Sequence, residues 1–313
     1  MEIFEVIHPG AYTTVQDRGR FNYQQFGVPV CGVVDSFAYR AANALVGNFQ
    51  DQAVLEATIF GPTLKVLNQG SIAVTGGNLT PRINNSPLPM WESVAIHPDD
   101  VLQFKGVKSG CRAYIAVAGG IDIPHVMGSR STYVAGKIGG INGRPLVAGD
   151  RLNKGEGTGK AGNRIPSHLI PTYSDDIKIR VILGPQDDYF FEGIDTFFAS
   201  TFKVSTKADR MGYRLEGNAI IHKNGVEKSI ISEPSVPGGI QVPPDGQPII
   251  LLVEQTVGGY TKIATVISSD IGKVGQAKPG DRIHFQKVEI DKAHHIFKEE
   301  EEKIETIKKS LDK

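Results

Sequence analysis

The sequence is poor in the features that mark secreted, membrane, nucleic-acid-binding and metal-binding proteins. It contains two cysteines, Cys31 and Cys111, which form no CxxC pair or other metal-ligand spacing, and this favours a reduced, cytoplasmic setting. Lys plus Arg and Asp plus Glu both number 34, so no basic excess is available to neutralise a phosphate backbone. No apolar run approaches the roughly 20 residues that span a bilayer. The first residues lack a basic stretch followed by an apolar one, so we expect no signal peptide.

Three catalytic or ligand-binding motifs are also missing. The segment GEGTGKAG resembles a phosphate-binding loop, but the required first glycine would fall on Lys154, and Ala161 stands where Ser or Thr should bind magnesium. The neighbouring His294 and His295 would point about 100° apart on a helix, so they make no two-ligand metal face. No G-x-S-x-G nucleophile turn is present. We therefore expect neither a metal site nor a serine-hydrolase triad.

Glycine (36 residues) and proline (18) are abundant instead, and they are spread along the whole chain. They separate short segments that alternate at period two or are rich in β-branched residues, as strands are: SIAVTGGNL, SVAIHPDDVLQF, CRAYIAVAGG, IKIRVILG, PIILLVEQ, IATVISS and DRIHFQKVEI. Helical patterns are few: DSFAYRAANALVGN with Asp35 or Ser36 as N-cap, QDDYFFEGIDTFFAS, and a tail from about residue 291 to 313. These segment patterns predict a mainly β protein with few short helices and a C-terminal helix.

A boundary is predicted in NKGEGTGKAGNRIPSHLIPTY, residues 153–173, which is poor in apolar residues and rich in Gly and Pro. Each half closes with a turn and a strand, RPLVAGDRL in the first and QAKPGDRIHF in the second. The pattern favours a β-barrel-like domain at 1–155, a second β-barrel domain at 174–290 and a C-terminal helix at 291–313. The boundary should be the most protease-sensitive interior segment.

Three polar clusters interrupt the predicted strands at glycine-containing loops. TTVQDRGR carries Asp17 and Arg18, and KADRMGYRLEG carries Arg210 and Arg214, which could grip a carboxylate or phosphate. The third, GGIQVPPDGQPIILLVEQTVGGYTK, carries a set of amides and glycines: Gln241, Gln255, Gly258 and Gly259. Each cluster alone is explained by ordinary ion pairs and rigid loops, but three together favour a ligand-binding surface.

The same clusters carry a family resemblance. The sequence resembles the allophanate hydrolase subunit 2, or biotin-dependent carboxyltransferase, family, which includes the C subunit of 5-oxoprolinase and KipA-like regulators. The matching segments cover about residues 10 to 285 and leave the terminal helix outside: VQDRGR, GVPVCGVVDSFAYRAANALVGN, LEATIFGPTL, YIAVAGGID, GSRSTY, LGPQDDYF, KADRMGYRLEG and IQVPPDGQPIILLVEQTVGGYTKIATVISSD.

The resemblance implies two cyclophilin-like β-barrel modules and a companion subunit of the allophanate-hydrolase-subunit-1-like (KipI-like) family. It further implies a subunit of a complex, with a third, lactam-processing subunit, that cleaves 5-oxo-L-proline to L-glutamate at the expense of ATP. Which subunit binds ATP is left open. Two alternatives remain: a carboxyltransferase component acting with a separate biotin protein, or a KipA-like regulatory module without chemistry. No EAMKM-like biotin-attachment segment is present.

The resemblance also implies roles for the third cluster. Lactam cleavage and carboxyl transfer both need a polarised carbonyl, which glycine-turn N–H groups, amides and lysine can provide. We expect Gly258 and Gly259 to form a tight turn beside the ligand, with Tyr260 and Lys262 facing one cleft from the next strand. Tyr260, Lys262 and Gln255 are the predicted catalytic residues. The predicted substrate-binding residues are Arg210, Arg214, Gln241, Gly258, Gly259, Asp17 and Arg18.

Overall fold

The structure, a computed structural model, describes residues 1–311 and is mainly β, as predicted. The chain forms two compact units. The first unit comprises Met1–Asn22, Cys31–Tyr173 and, among the described residues, 301–311; the second comprises Tyr23–Val30 and Ser174–Glu300. The helices are α1 (Ser36–Leu45), α2 (Phe191–Ala199), α3 (Ile271–Gln276) and α4 (Ile290–Leu311). Short 3-10 turns add single turns at Gln24–Phe26, Ser167–Leu169, Asp187–Tyr189 and Ser268–Asp270.

The first unit is built from two antiparallel sheets. Its strands are β1 (Glu2–His8), β2 (Tyr12–Gln16), β3 (Val54–Thr58), β4 (Thr63–Val66), β5 (Gly70–Asn78), β6 (Pro81–Ile83), β7 (Ser86–Pro87), β8 (Ser93–Ile96), β9 (Val101–Phe104), β10 (Ser109–Val117) and β11 (Arg151–Asn153). One sheet has the order β11-β1-β4-β9-β6-β7 and the other β2-β3-β10-β5-β8. Alternate residues from both sheets form one apolar core, which includes Phe4, Leu55, Leu64, Ile72, Leu102 and Ile115.

Helix α1 covers the five-stranded sheet of the first unit. The Asp35 carboxylate caps it by accepting a hydrogen bond from the Ala38 N–H (3.0 Å), which confirms the predicted N-cap. Its small residues Ala38 and Ala42 pack in a cluster with Tyr114 of β10. Ile304 and Ile307 of α4 complete this cluster. Glu301 of α4 pairs with Arg40 of α1.

Much of the predicted boundary segment packs closely on the first unit. Gly155 and Gly157 lie against the backbone of Gly119, and Ile165 is buried in the α1 cluster. The buried ammonium group of Lys154 donates a hydrogen bond to the Gly157 carbonyl (2.5 Å). These contacts hold residues 154–165 in the first unit, and the two units divide at the end of the segment, between Tyr173 and Ser174.

The second unit is a closed barrel. Its strands are β12 (Asp176–Leu183), β13 (Phe202–Val204), β14 (Gly212–Glu216), β15 (Ser229–Pro234), β16 (Gly239–Val242), β17 (Ile249–Leu251), β18 (Val257–Val266) and β19 (Arg282–Lys287). They follow the order β12-β19-β13-β14-β17-β16-β18-β15, and a further β12–β18 pairing closes the ring. Strands β12 and β19 are parallel, whereas the other pairs are antiparallel. Strand β15 lies outside the ring and pairs with the first half of β18.

Three phenylalanine side chains of the second unit pack together. The rings of Phe197 in α2 and Phe285 in β19 stack 4.3 Å apart, and Phe202 packs on both. The first turns of α4 belong to this unit, where Ala293 and Ile296 pack against Ile267. The tail was predicted to be helical over 291–313, and α4 confirms this as far as Leu311; residues 312–313 lie outside the described residues.

Candidate functional site

The glycine pair lies inside a strand. Gly258 and Gly259 are residues two and three of β18, where they pair with β15, so the predicted tight turn is wrong. A Cβ at Gly258 would collide with the side-chain amide of Gln241, and a Cβ at Gly259 would lie 3.1 Å from Ser232 Oγ. Both positions leave little room for a side chain because neighbouring groups approach the backbone closely, and the chain does not reverse here.

Lys262 is a buried lysine with a carboxylate partner. Its side chain is 8% exposed, and its Nζ lies 2.5 Å from Oε1 of Glu233 in β15, whose side chain is 43% exposed. The Lys262 backbone N–H donates to the Gln186 side-chain oxygen (2.9 Å), which belongs to the segment after β12. Lys262 is thus bonded through its ammonium group to Glu233, which is partly exposed to solvent, and through its backbone N–H to Gln186.

Gln241 brings a second hydrogen-bond donor to the same place. It lies directly opposite Lys262 in the β16–β18 pair, so the two side chains share one face. Gln241 is 4% exposed, and its Nε2 has no hydrogen-bond partner within residues 1–311. An unpaired buried donor costs about 1–3 kcal/mol, so this amide is a feature that folding alone does not explain.

These groups converge on Gly258. Glu233 is the cross-strand partner of Gly258, and it receives the Lys262 ammonium group, while the Gln241 amide lies against the Gly258 backbone. We call Lys262, Gln241, Glu233 and Gly258 the Gly258 cluster. It presents a lysine and an amide donor side by side, an arrangement that stabilises negative charge on a carbonyl or carboxylate oxygen.

The other two predicted catalytic residues are placed differently. Tyr260 lies two residues before Lys262, is 40% exposed and shares its face of β18, as expected. Gln255 lies in the loop between β17 and β18. Its amide nitrogen donates to the Val257 carbonyl. Gln255 therefore shapes the entry into β18, and its catalytic role stays a prediction.

The two predicted anion-binding arginines have different surroundings. Arg210 is 5% exposed and forms a buried ion pair with Glu254, at 2.6 Å from Nε to Oε1. The Glu254 N–H also donates to the Arg210 carbonyl (3.1 Å), so the pair fixes the turn that leads into β18. Arg214 is exposed on β14. Arg210 therefore has a carboxylate partner within this chain, and substrate binding by either arginine stays a prediction.

Asp17 and Arg18 belong to the first unit. The buried Asp17 carboxylate accepts hydrogen bonds from the Ser129 and Ser131 hydroxyls (2.7 and 2.6 Å) and from the Gly19 and Arg130 N–H groups. This bonding ties the end of β2 to the segment 129–131. Arg18 is exposed, and its guanidinium lies 5.3 Å from the centre of the Phe21 ring. The geometry gives Asp17 a structural task, and its proposed contact with substrate stays a prediction.

Four polar residues that contact the predicted site residues or their neighbours were not predicted from the sequence: Glu233, Gln186, His222 and Arg20. His222 is buried against Phe190 (4.5 Å between ring centres), and its Nε2 lies 2.8 Å from the Thr261 hydroxyl, behind the Gly258 cluster. Burial, helped by Lys228, lowers the pKa of His222. Arg20 is fully buried and donates to the carbonyls of Val126 and Ser131. Gln186 lies in the segment LGPQDDYF, which was quoted for the resemblance and could have indicated it.

No helix among residues 1–311 is both long and apolar enough to cross a membrane. Over the same range, no three His, Cys, Asp or Glu side chains are grouped so that they could hold a metal ion.

Comparison with known proteins identifies the family. Residues 26–287 match the carboxyltransferase domain, subdomains A and B. The C subunit of 5-oxoprolinase from Escherichia coli (strain K12) is 36% identical over 293 residues, which cover 93% of each chain. The same subunit from Haemophilus influenzae is 31% identical over 314 residues, covering 99% of each.

Longer multidomain proteins are similar as well. The urea amidolyase of Lachancea kluyveri is 34% identical over 97% of this chain, which corresponds to 18% of that protein. The crystal structure of the Kluyveromyces lactis urea carboxylase superposes with a TM-score of 0.91 at 34% identity, over 97% of this chain and 29% of that one. The match spans both compact units in sequence. This chain belongs to the carboxyltransferase domain family, subdomains A and B, and is similar to the 5-oxoprolinase C subunits over nearly its whole length.

Proposed function

We propose that this chain is one subunit of a cytoplasmic, ATP-dependent 5-oxoprolinase complex, which cleaves 5-oxo-L-proline to L-glutamate. The observation that carries the proposal is the match to the C subunit of a 5-oxoprolinase over 93% of both chains. A relative that is named as one lettered subunit has other subunits. The partners that we propose are a KipI-like companion subunit, which shares the site, and a lactam-processing subunit.

The Gly258 cluster supports this chemistry. Opening a lactam places negative charge on the carbonyl oxygen, and hydrogen-bond donors already aimed at that oxygen lower the barrier. The Lys262 ammonium and the Gln241 amide are two such donors on one face. Tyr260 lies on the same strand face and can donate a third hydrogen bond or relay a proton.

ATP would supply the driving free energy in the complex, but the glycine-rich segment of this chain does not fit its phosphates. The Lys154 ammonium group is occupied by the Gly157 carbonyl, and Gly155 and Gly157 pack against Gly119. A triphosphate would need backbone N–H groups and a lysine aimed outwards at this place. We therefore assign no step of the reaction to ATP bound by this segment.

The test is co-production with the two partner subunits, followed by measurement of ATP-dependent glutamate release from 5-oxo-L-proline. We expect turnover with all three proteins and none when this chain is omitted. Turnover that does not depend on this chain, or no turnover with all three present, would overturn the proposal.

A carboxyltransferase component is the second candidate, and the TM-score of 0.91 to a urea carboxylase favours it. In that case the same donors would hold the carboxyl group that is moved to or from biotin. Activity that appears only with a biotin protein, biotin carboxylase and bicarbonate would select this candidate. Stable binding to partners without either reaction would indicate a regulatory module.

A further inference from the structure

The Lys262 ammonium group needs an anionic partner wherever it is buried. Its side chain is 8% exposed, and an unpaired ammonium group at that depth is strongly unfavourable. Glu233 supplies the negative charge. It comes from β15, a strand that pairs on one side with β18 and, within the described residues, with no strand on its other side.

Glu233 satisfies one of the two donors in the Gly258 cluster. Its Oε1 accepts from Lys262, but the Gln241 Nε2 beside it is left without an acceptor in the part of the chain that the structure describes. Both donors lie at the level of Gly258, which carries no side chain of its own. A free carboxylate has two oxygens and is not tethered to β15, so it could accept from Lys262 with one oxygen and from Gln241 with the other.

We propose that the Gly258 cluster is a binding site for a small carboxylate and that the Glu233 side chain is an internal competitor, occupying the site until a ligand carboxylate replaces it. The inference deepens the proposed function, on which it rests for the choice of ligand, the side-chain carboxylate of the product L-glutamate, which keeps the oxygen of the opened lactam carbonyl. Exchange keeps Lys262 paired throughout and adds the missing bond to Gln241. The displaced Glu233 is already 43% exposed, so it reaches water without unfolding of the barrel.

The test uses the purified full-length chain without partners. Isothermal titration with L-glutamate, the acid, is compared with titration by L-glutamine, whose side chain is the uncharged amide. Removal of the competitor in Glu233→Gln should tighten binding of the acid by about tenfold or more and leave binding of the amide unchanged. Glu227→Gln changes an exposed acid of the segment before β15 and should bind like the wild type. Lys262→Met should abolish the preference for the acid.

Labelling measures the same exchange without a ligand. Trinitrobenzenesulfonate, a small anion that reacts with amines, should modify Lys262 several-fold faster in Glu233→Ala than in the wild type, as followed by peptide mass spectrometry. Lys178, an exposed lysine of β12, is the internal control.

Acid binding by Glu233→Gln that is no tighter than in the wild type, or absent from both, overturns the proposal, as does unchanged labelling of Lys262. If the Lys262–Glu233 pair were only structural, the Glu233 variants would give these results and would also have a lower free energy of unfolding. Because binding and labelling use the single chain, they remain distinct from the turnover assay. If Glu233→Gln binds the acid more tightly but the three-subunit assay shows no turnover, the proposed function is rejected and the carboxylate site is retained.

Discussion

The guanidinium of Arg40 in α1 donates hydrogen bonds to both carboxylate oxygens of Glu301 in α4, at 2.5 and 2.8 Å. The pair links α4, which lies outside the family match, to α1 of the first unit. It is close in sequence to the buried Ile304. The bond from Arg40 lowers the pKa of Glu301 below its usual range. A lowered folded-state pKa stabilises the fold above the unfolded value of about 4.3, and this stabilisation is lost as the pH falls through the folded value.

We therefore expect Glu301→Gln to reduce the free energy of unfolding by about 0.5–1 kcal/mol at pH 7, because the pair is partly solvated. The difference from the wild type should shrink at pH 3. Urea titrations at both pH values measure it, and Glu302→Gln, which alters an exposed neighbour, is the control. An equal loss at both pH values would contradict an ionic contribution.

Gly258→Ala should destabilise the second unit by about 1–3 kcal/mol, because the new methyl group collides with the Gln241 amide. The matched variant Gly259→Ala meets only Ser232 Oγ at 3.1 Å and the Ile230 carbonyl at 3.2 Å, so its cost should be smaller. In the double variant Gly258→Ala/Gln241→Ala, most of the loss should be recovered. Additive effects in this thermal-unfolding cycle would mean that the two residues do not touch.

Lys262→Met should lower kcat of the reconstituted complex by about 10²- to 10³-fold, the range found when one donor is removed from an oxyanion site. Tyr260→Phe should lower kcat as well, with assembly unchanged. The exposed strand lysine Lys178, changed to Met, is the control. If both variants assemble and turn over at the wild-type rate, β18 is scaffolding and the reaction takes place elsewhere.

Arg210→Lys should be destabilising and Arg214→Lys close to neutral. Arg210 loses a planar donor in a buried pair with Glu254, whose complete disruption costs about 3–5 kcal/mol, whereas Arg214 is exposed. Chemical denaturation of each variant measures the difference. If Arg214→Lys is as stable as the wild type but turns over more slowly, the result would support the predicted contact between this arginine and a substrate anion.

His222 should make stability depend on pH in the mildly acidic range. Its pKa is lowered by burial, so below the unfolded value of about 6.5 the unfolded chain binds a proton that the folded chain does not. Stability therefore falls as the pH drops through the unfolded value of about 6.5 towards the lowered folded-state pKa. This part of the slope should vanish in His222→Gln, and an unchanged slope would assign the effect to other groups.

Local patterns predicted the fold well. The period-two segments coincide with strands such as β5, β10 and β12, and Asp35 caps α1 as its sequence indicated. These features depend on neighbours in the chain, which a sequence displays directly.

The site was harder to predict because its contacts join distant residues. Lys262 and Glu233 are 29 residues apart, Arg210 and Glu254 are 44 apart, and only strand register brings each pair together. Asn43 of α1 is fully buried, where its amide nitrogen donates to the Gln52 carbonyl, a contact that its polar character does not predict. A glycine pair between strands usually indicates a turn, whereas here it reflects the side chain that lies beside it.

Because α4 comes late in the chain, the cluster around α1 stays incomplete during most of translation. Ile304 and Ile307 complete the cluster around α1, although residues 1–173 are synthesised long before them. Domains usually fold in the order of synthesis. Here the first unit must keep an apolar surface of α1 uncovered while about 130 further residues are added, at roughly 5–20 residues per second. For several seconds in every round of translation, the nascent chain therefore exposes a surface that a chaperone, or aggregation, can reach.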